Sequence, residues 1–186
     1  MTLASAEQNM LKFEKKRPLE YVMYVAIIAV GIIIDQLTKW LSVKYLKVVD
    51  TVPIIKDVLH LTYVENDGAA FGMLDDHRLL FMIPSVIMIV VLSVYLVFGY
   101  AQNMLYAVSI PMIISGGIGN MIDRIALGYV VDFIDFRLIN FAVFNGADSF
   151  VCVGAGILVL ALILDIIKEY KNKDTKEDKE SNDFQG

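Results

Sequence analysis

The chain is poor in the side chains that build metal sites and disulfides. Its 186 residues hold one cysteine, Cys152, and two histidines, His60 and His77. A single thiol cannot close an intramolecular disulfide. The histidines stand apart, with no HExxH and no paired cysteines, so the pattern offers no zinc site. Cys152 has no histidine near it in sequence and lies in an apolar block, a poor setting for a nucleophile. Lys39 has Thr38 and Ser42 close by, but no glycine-flanked nucleophile elbow accompanies them, which argues against a Ser-Lys hydrolase. Lys and Arg number 16 against 21 Asp and Glu, and they form no stripe. That excludes the usual footprint of a nucleic-acid-binding protein. No internal repeat is present.

What the chain has in abundance is apolar sequence. Hydrophobic residues make up 57% of it, and its mean hydropathy is +0.61. They are gathered in four blocks, Leu19–Leu41, Leu79–Phe98, Leu105–Ile122 and Ser149–Ile167. Roughly 20 apolar residues suffice for a helix to cross a bilayer. The first block follows Lys15-Lys16-Arg17 and so resembles a secretory leader, but no small-x-small cleavage site follows it. Asp35-Gln36-Leu37-Thr38-Lys39-Trp40 follows instead, and Asp35 and Lys39, at i,i+4, share a helix face and can pair. The expectation is a mainly α membrane protein with four transmembrane helices over residues 19–167. A cytoplasmic head, 1–18, precedes it, and a charged, disordered cytoplasmic tail, 168–186, follows.

Residues 42–77 change character. Val48, Val49, Val52, Ile54, Ile55, Val58, Leu59 and Leu61 alternate with charges and Pro53, which favours short strands. This predicts a small β-rich cradle between the first two helices, closing on the turn signal Asn66-Asp67-Gly68. Four spans put both termini on one side. The head has four Lys or Arg and the tail five, which predicts that this side is cytoplasmic. The cradle and the loop over residues 123–148 then face outward. Gly116-Gly117-Ile118-Gly119 and Gly154-Ala155-Gly156 allow close helix approach.

That outward loop carries three carboxylates, Asp132, Asp135 and Asp148. Carboxylates beside a membrane core are costly and mark functional sites. Asp132 and Asp148 are the candidate catalytic pair. Two carboxylates sharing a site do not both ionise readily, so one can donate a proton while the other activates water. Asp148 opens a predicted helix, whose dipole favours an anion, so Asp132 is expected to be the protonated member. Asn120 and Asp123 share a helix face at i,i+3, and Arg124 beside Asp123 is expected to keep that carboxylate ionised. Asp123, Arg124, Asp35 and Lys39 therefore read as scaffold. Asn66 and Asn145 serve either as turn formers or as hydrogen-bond donors to a substrate.

Taken in order, five motifs form a series: Asp35-Gln36-Leu37-Thr38-Lys39, Asn66-Asp67-Gly68-Ala69-Ala70-Phe71, Gly116 through Arg124, Val130-Val131-Asp132-Phe133 and Phe144-Asn145-Gly146-Ala147-Asp148. The series resembles bacterial lipoprotein signal peptidase, the membrane aspartic protease also called signal peptidase II. The resemblance covers Leu19 to Ile167. It implies four membrane helices with an extracytoplasmic β-cradle, and cleavage of prolipoproteins just before a diacylglyceryl-modified cysteine. The catalytic dyad falls on Asp132 and Asp148. The supporting residues fall on Asp35, Lys39, Asn66, Asn120, Asp123, Arg124 and Asn145. It further implies no cofactor and no metal, contact with membrane lipid, and inhibition by globomycin at the dyad. Two positions depart from the common pattern. Glu65 stands where many members carry a basic residue, and Gly146 replaces a bulkier apolar one.

Two rival classes remain, a small ion-coupled transporter and a non-catalytic membrane scaffold. A transporter needs polar residues spread through the membrane depth. A scaffold leaves the clustered acids unexplained.

Overall fold

The structure, a computed structural model, describes residues 18–68, 78–98 and 103–183. Most of the expected head, the end of the cradle loop at 69–77 and most of the connection at 99–103 lie outside the described residues. Helix α1 spans Pro18–Tyr45. Strands β1 (Thr51–Ile55) and β2 (Leu59–Asn66) follow, then α2 (Arg78–Val97) and α3 (Met104–Ala126). Strand β3 (Val130–Phe136), a short 3₁₀ turn at Arg137–Ile139 and α4 (Gly146–Asp183) complete the order.

Three helices, α1, α3 and α4, are long and apolar enough to cross a membrane. The apolar part of α2 is shorter, Phe81–Val97. At about 1.5 Å per residue the whole of α2 rises about 30 Å, close to the thickness of a bilayer's hydrocarbon core. The hub is α3, which packs against the other three helices. Its start is capped by Asn103, whose Oδ1 accepts from the Leu105 and Tyr106 amides. Its buried face holds Ile110, Ile113 and Ile114, and Ile110 and Ile114 join Tyr24, Leu96 and Ala161 in the core.

Small residues set the α3–α4 distance. A Cβ placed on Gly116 would run into the backbone carbonyl oxygen of Ala147, which cannot move aside without moving α4. Gly116→Ala is therefore expected to lower the thermal midpoint in detergent by the equivalent of about 1–3 kcal/mol, as overpacked sites do. An unchanged midpoint would show that α4 is free to shift.

The three strands form one antiparallel sheet in the order β1-β2-β3. Every residue of β1 is exposed, and its Pro53 lacks a donor, as suits an edge strand. The turns on either side place Asp50 and Asp57 in the left-handed region, which aspartate tolerates.

The cradle is thus present, but two details differ from expectation. Its third strand, β3, comes from the loop between α3 and α4, and α1 runs to Tyr45, into the segment read as β-rich. The tail also differs, because α4 continues as helix through Asp183. The tail residues Lys and Glu are good helix formers, and pairs such as Lys173–Glu169 at i,i+4 support an exposed helix.

Candidate active site

Each acidic motif sits where its element meets the sheet end of the bundle. Asp35 and Lys39 lie in the last turns of α1, Asn120 and Asp123 in the last turns of α3, and Asp148 in the first turn of α4. All three acids that an ion path would use are at one end, which leaves the transporter reading without a path.

The centre of the buried network is Lys39, which is 3% exposed. Its ammonium lies 2.9 Å from Asp35 Oδ2, 2.9 Å from Asp123 Oδ2 and 2.9 Å from Asn120 Oδ1. The expected Asp35–Lys39 pair is therefore made. The expected Asp123–Arg124 pairing is not the one found: consecutive helical residues point apart, and the cation beside Asp123 is Lys39. Arg124 lies instead over the Phe81 ring, 5.8 Å from its centroid.

This network fastens both chain segments that carry the candidate pair. Asp35 Oδ1 accepts the Ala147 amide at 2.7 Å, filling an open donor at the start of α4. Asp123 Oδ2 accepts the Val131 amide at 3.1 Å, fixing β3 one residue before Asp132. Gln36, which the sequence reading passed over, donates to Asp35, to Asp123 and to the Gly119 carbonyl. The signal was available, since Gln36 and Lys39 share a helix face at i,i+3.

Asp132 and Asp148 meet around Asn145. Asn145 Nδ2 donates to Asp132 Oδ1 at 2.6 Å and to Asn120 Oδ1 at 3.0 Å. Its side-chain oxygen accepts the Asp148 amide at 2.9 Å, while its own amide donates to Asp148 Oδ2 at 3.2 Å. That reciprocal pair has the form of a capping box and explains why α4 starts here. Asn120 Nδ2 donates to the other Asp148 oxygen at 2.7 Å, and Asn66 Nδ2 to the other Asp132 oxygen at 2.8 Å. Three asparagines, from β2, α3 and the start of α4, therefore hold the two carboxylates.

Asp132 is 1% exposed. Burial pushes its carboxyl up from 3.8 to about 6, and the nearby Asp148 adds to the rise. The bonds from Asn66 and Asn145 and the charge of Lys39 pull the other way. Asp135, three residues on, points to the opposite side of the strand. It accepts from Thr62 Oγ1 at 2.7 Å and from Arg137 Nε at 2.8 Å. Burial would raise its pKa, but these partners outweigh it and leave the carboxyl below its ordinary value. Strand alternation thus separates the committed Asp135 from Asp132.

A cavity of about 240 Å³ opens between α2, α3 and α4. Asp148, Asn120 and Arg124 form its polar end, and Met88, Leu92 and Ile113 its apolar wall. A second cavity, about 320 Å³, lies against α1 and the sheet between Leu41, Leu46 and Phe133. No carboxylate lines it, whereas Asp148 lines the smaller space.

A family model described as signal peptidase (SPase) II matches residues 27–164, which include every residue of this network. The chain belongs to the signal peptidase II family. Members of the family are peptidases, and its helices place this one in a bacterial membrane. Among its relatives is a lipoprotein signal peptidase of Caldanaerobacter subterraneus subsp. tengcongensis, 50% identical over 76% of this chain and 96% of that protein. A namesake from Halothermothrix orenii is 46% identical over 76% and 94%. A solved bacterial membrane enzyme superposes with a TM-score of 0.70 at 32% identity, over 77% of this chain and 88% of that one. Signal peptidase II membership also disposes of the scaffold reading.

Proposed function

We propose that this peptidase removes the signal peptide of bacterial prolipoproteins by aspartic-protease chemistry, with Asp132 and Asp148 as the catalytic pair. The observation that carries the reading is their convergence. Two carboxylates from different elements share Asn145, and one of them, Asp148, stands at the polar end of an otherwise apolar cavity.

The cavity suits an apolar signal segment entering from the bilayer. The scissile peptide would then lie between the two carboxylates. Asp148, ionised, takes a proton from a water whose oxygen attacks the peptide carbonyl carbon. Asp132, protonated, gives its proton to the carbonyl oxygen. As the C–N bond breaks, Asp148 passes its proton to the leaving amine and Asp132 recovers one from the tetrahedral hydroxyl. Both proton transfers are supplied by the pair itself.

In this reading Asn66, Asn120 and Asn145 orient the pair, while Asp35, Lys39 and Asp123 anchor it. Arg124, at the cavity rim, meets the substrate backbone. The substrate's diacylglyceryl group stays in the bilayer, and globomycin would block the enzyme at the pair. Both termini are cytoplasmic, and the sheet end of the bundle faces outward, in line with the basic residues of head and tail.

The test uses protein reconstituted in lipid with a prolipoprotein whose cysteine is diacylglyceryl-modified, beside the same precursor unmodified. Mass spectrometry should find one cut, immediately before the modified cysteine. Folded enzyme that cuts elsewhere, or prefers the unmodified precursor, would overturn the substrate assignment.

A further inference from the structure

Immediately before Asn66 on β2 stands Glu65. Its carboxylate joins two chain segments, the turn after α1 and β2 itself. Lys47, in the turn after α1, donates to Glu65 Oε1 at 2.7 Å. Tyr63, two residues back on β2, donates to the same oxygen at 2.8 Å. Lys47 lies over the Tyr63 ring, 5.3 Å from its centroid, which closes the cluster.

The location matters more than the strength of any one bond. Glu65 pairs across the sheet with Val131, the neighbour of Asp132, and Asn66 pairs with Val130. Asn66 is exposed, at the end of its strand. Beyond its bond to Asp132, it is held by its Oδ1, which accepts the Gly68 amide at 2.9 Å. Backbone pairing with Val130 and one local turn bond are the other restraints on this strand end, where fraying concentrates, and the Lys47–Glu65 contact ties it to the turn after α1.

We propose that Glu65 is a positioning residue, which clamps the end of β2 to the turn after α1 and thereby holds the Asn66 amide against Asp132. The proposal rests on the assignment of Asp132 to the catalytic pair. The hydrogen bonds of Lys47 and then Tyr63 hold the Glu65 carboxyl below its usual range, so the clamp is charged at neutral pH. Freed from Asn66, Asp132 would lose a bond that favours its ionised form, and it would keep its proton to higher pH.

The experiment compares Glu65→Ala, Glu65→Gln, Asn66→Ala and the double variant with the wild type, in lipid, on the diacylglyceryl-modified precursor. Lys47→Glu and the charge swap Lys47→Glu/Glu65→Lys complete the set. Glu65→Ala is expected to lower kcat about tenfold, the scale of one lost charge-assisted bond, with KM nearly unchanged. The alkaline limb of its pH profile should move up. Added to Asn66→Ala, it should cost little more, because the two act in series. Glu65→Gln keeps an acceptor for Tyr63 and should retain part of the activity, and the swap should recover part of what Lys47→Glu loses.

A readout independent of cleavage is the carboxyl stretch of Asp132, titrated by infrared spectroscopy and identified by its loss in Asp132→Asn. Glu65→Ala and Asn66→Ala should move it in the same direction, to higher pH. A shift in Asn66→Ala without one in Glu65→Ala, or no shift in either, would overturn the clamp. Full activity of Asp132→Asn would instead overturn the catalytic pair, and the infrared arm would still decide the clamp.

Discussion

Asp148→Asn and Asp132→Asn are each expected to stop cleavage while leaving a folded protein, with kcat falling by about 10³-fold or more, the scale of a lost general acid or base. Asparagine keeps the shape of either side chain but cannot carry the proton. In the proposed mechanism, Asp148→Asn removes the group that takes a proton from water, and Asp132→Asn removes the group that protonates the carbonyl oxygen. Each loses one acceptor, since both native carboxylates receive two donors. The cost in folding should stay near a single hydrogen bond, about 1 kcal/mol.

Asp123→Asn is the control. Asp123 faces Lys39, Gln36 and the Val131 amide rather than the cavity, so its variant should retain measurable activity. Initial rates and thermal midpoints on the same samples separate the cases. An inactive but folded Asp123→Asn beside an active Asp132→Asn would move the partner of Asp148 from β3 to α3.

The same carboxyl sets a pH dependence. Asp132 titrates near 6 in the folded chain and from its ordinary 3.8 when unfolded. Between these values the folded state binds the extra proton. The contribution of Asp132 to stability is therefore present below about pH 4 and lost as the pH rises through 6. Asp148→Asn removes the repulsion that helps to raise it, so Asp132 in that variant should titrate lower.

Lys39→Met carries the second large effect. The lysine is the cation between Asp35 and Asp123, and all three are at most 3% exposed. Methionine fills the space and leaves two buried carboxylates facing each other without compensation. Breaking such a pair by removing one partner costs about 3–5 kcal/mol. The loss should appear as a large fall in thermal midpoint in detergent, and as inactivity, because Asn120 and the Ala147 amide lose their anchor. Adding Asp123→Asn should return part of the stability, since one of the two stranded charges is gone. A Lys39→Met midpoint equal to that of the wild type would show that the carboxylates are already neutral in the folded chain.

The apolar blocks and the i,i+4 spacing of Asp35 and Lys39 made the helices and their buried pair legible, because both depend on local periodicity. The role of Val130–Phe136 as a strand was harder to see. Two of its seven residues are aspartates, and its pairing is with β2, some seventy positions away. Such pairing leaves no local trace. The partner of Asp123 was misassigned for a similar reason, since adjacency in sequence pointed to Arg124 and the fold supplied Lys39. Asn145 was visible as a polar residue, but its double bonding to both carboxylates depends on where α3 and β3 lie.

The bond from Asp35 to the Ala147 amide joins residues 112 positions apart. Its consequence is one of biosynthetic timing. The first helix enters the membrane early in translation, but its buried carboxylate and lysine wait for partners made late in synthesis. With Asp148 in the proposed catalytic pair, the hydrolytic centre would be complete only once the fourth helix arrives. A growing polypeptide that emerges among other membrane proteins would thus carry no proteolytic activity, and a fragment released by a ribosome stalled before Gly146 is expected to be inert. Supplying the fourth helix as a separate peptide should switch such a fragment on.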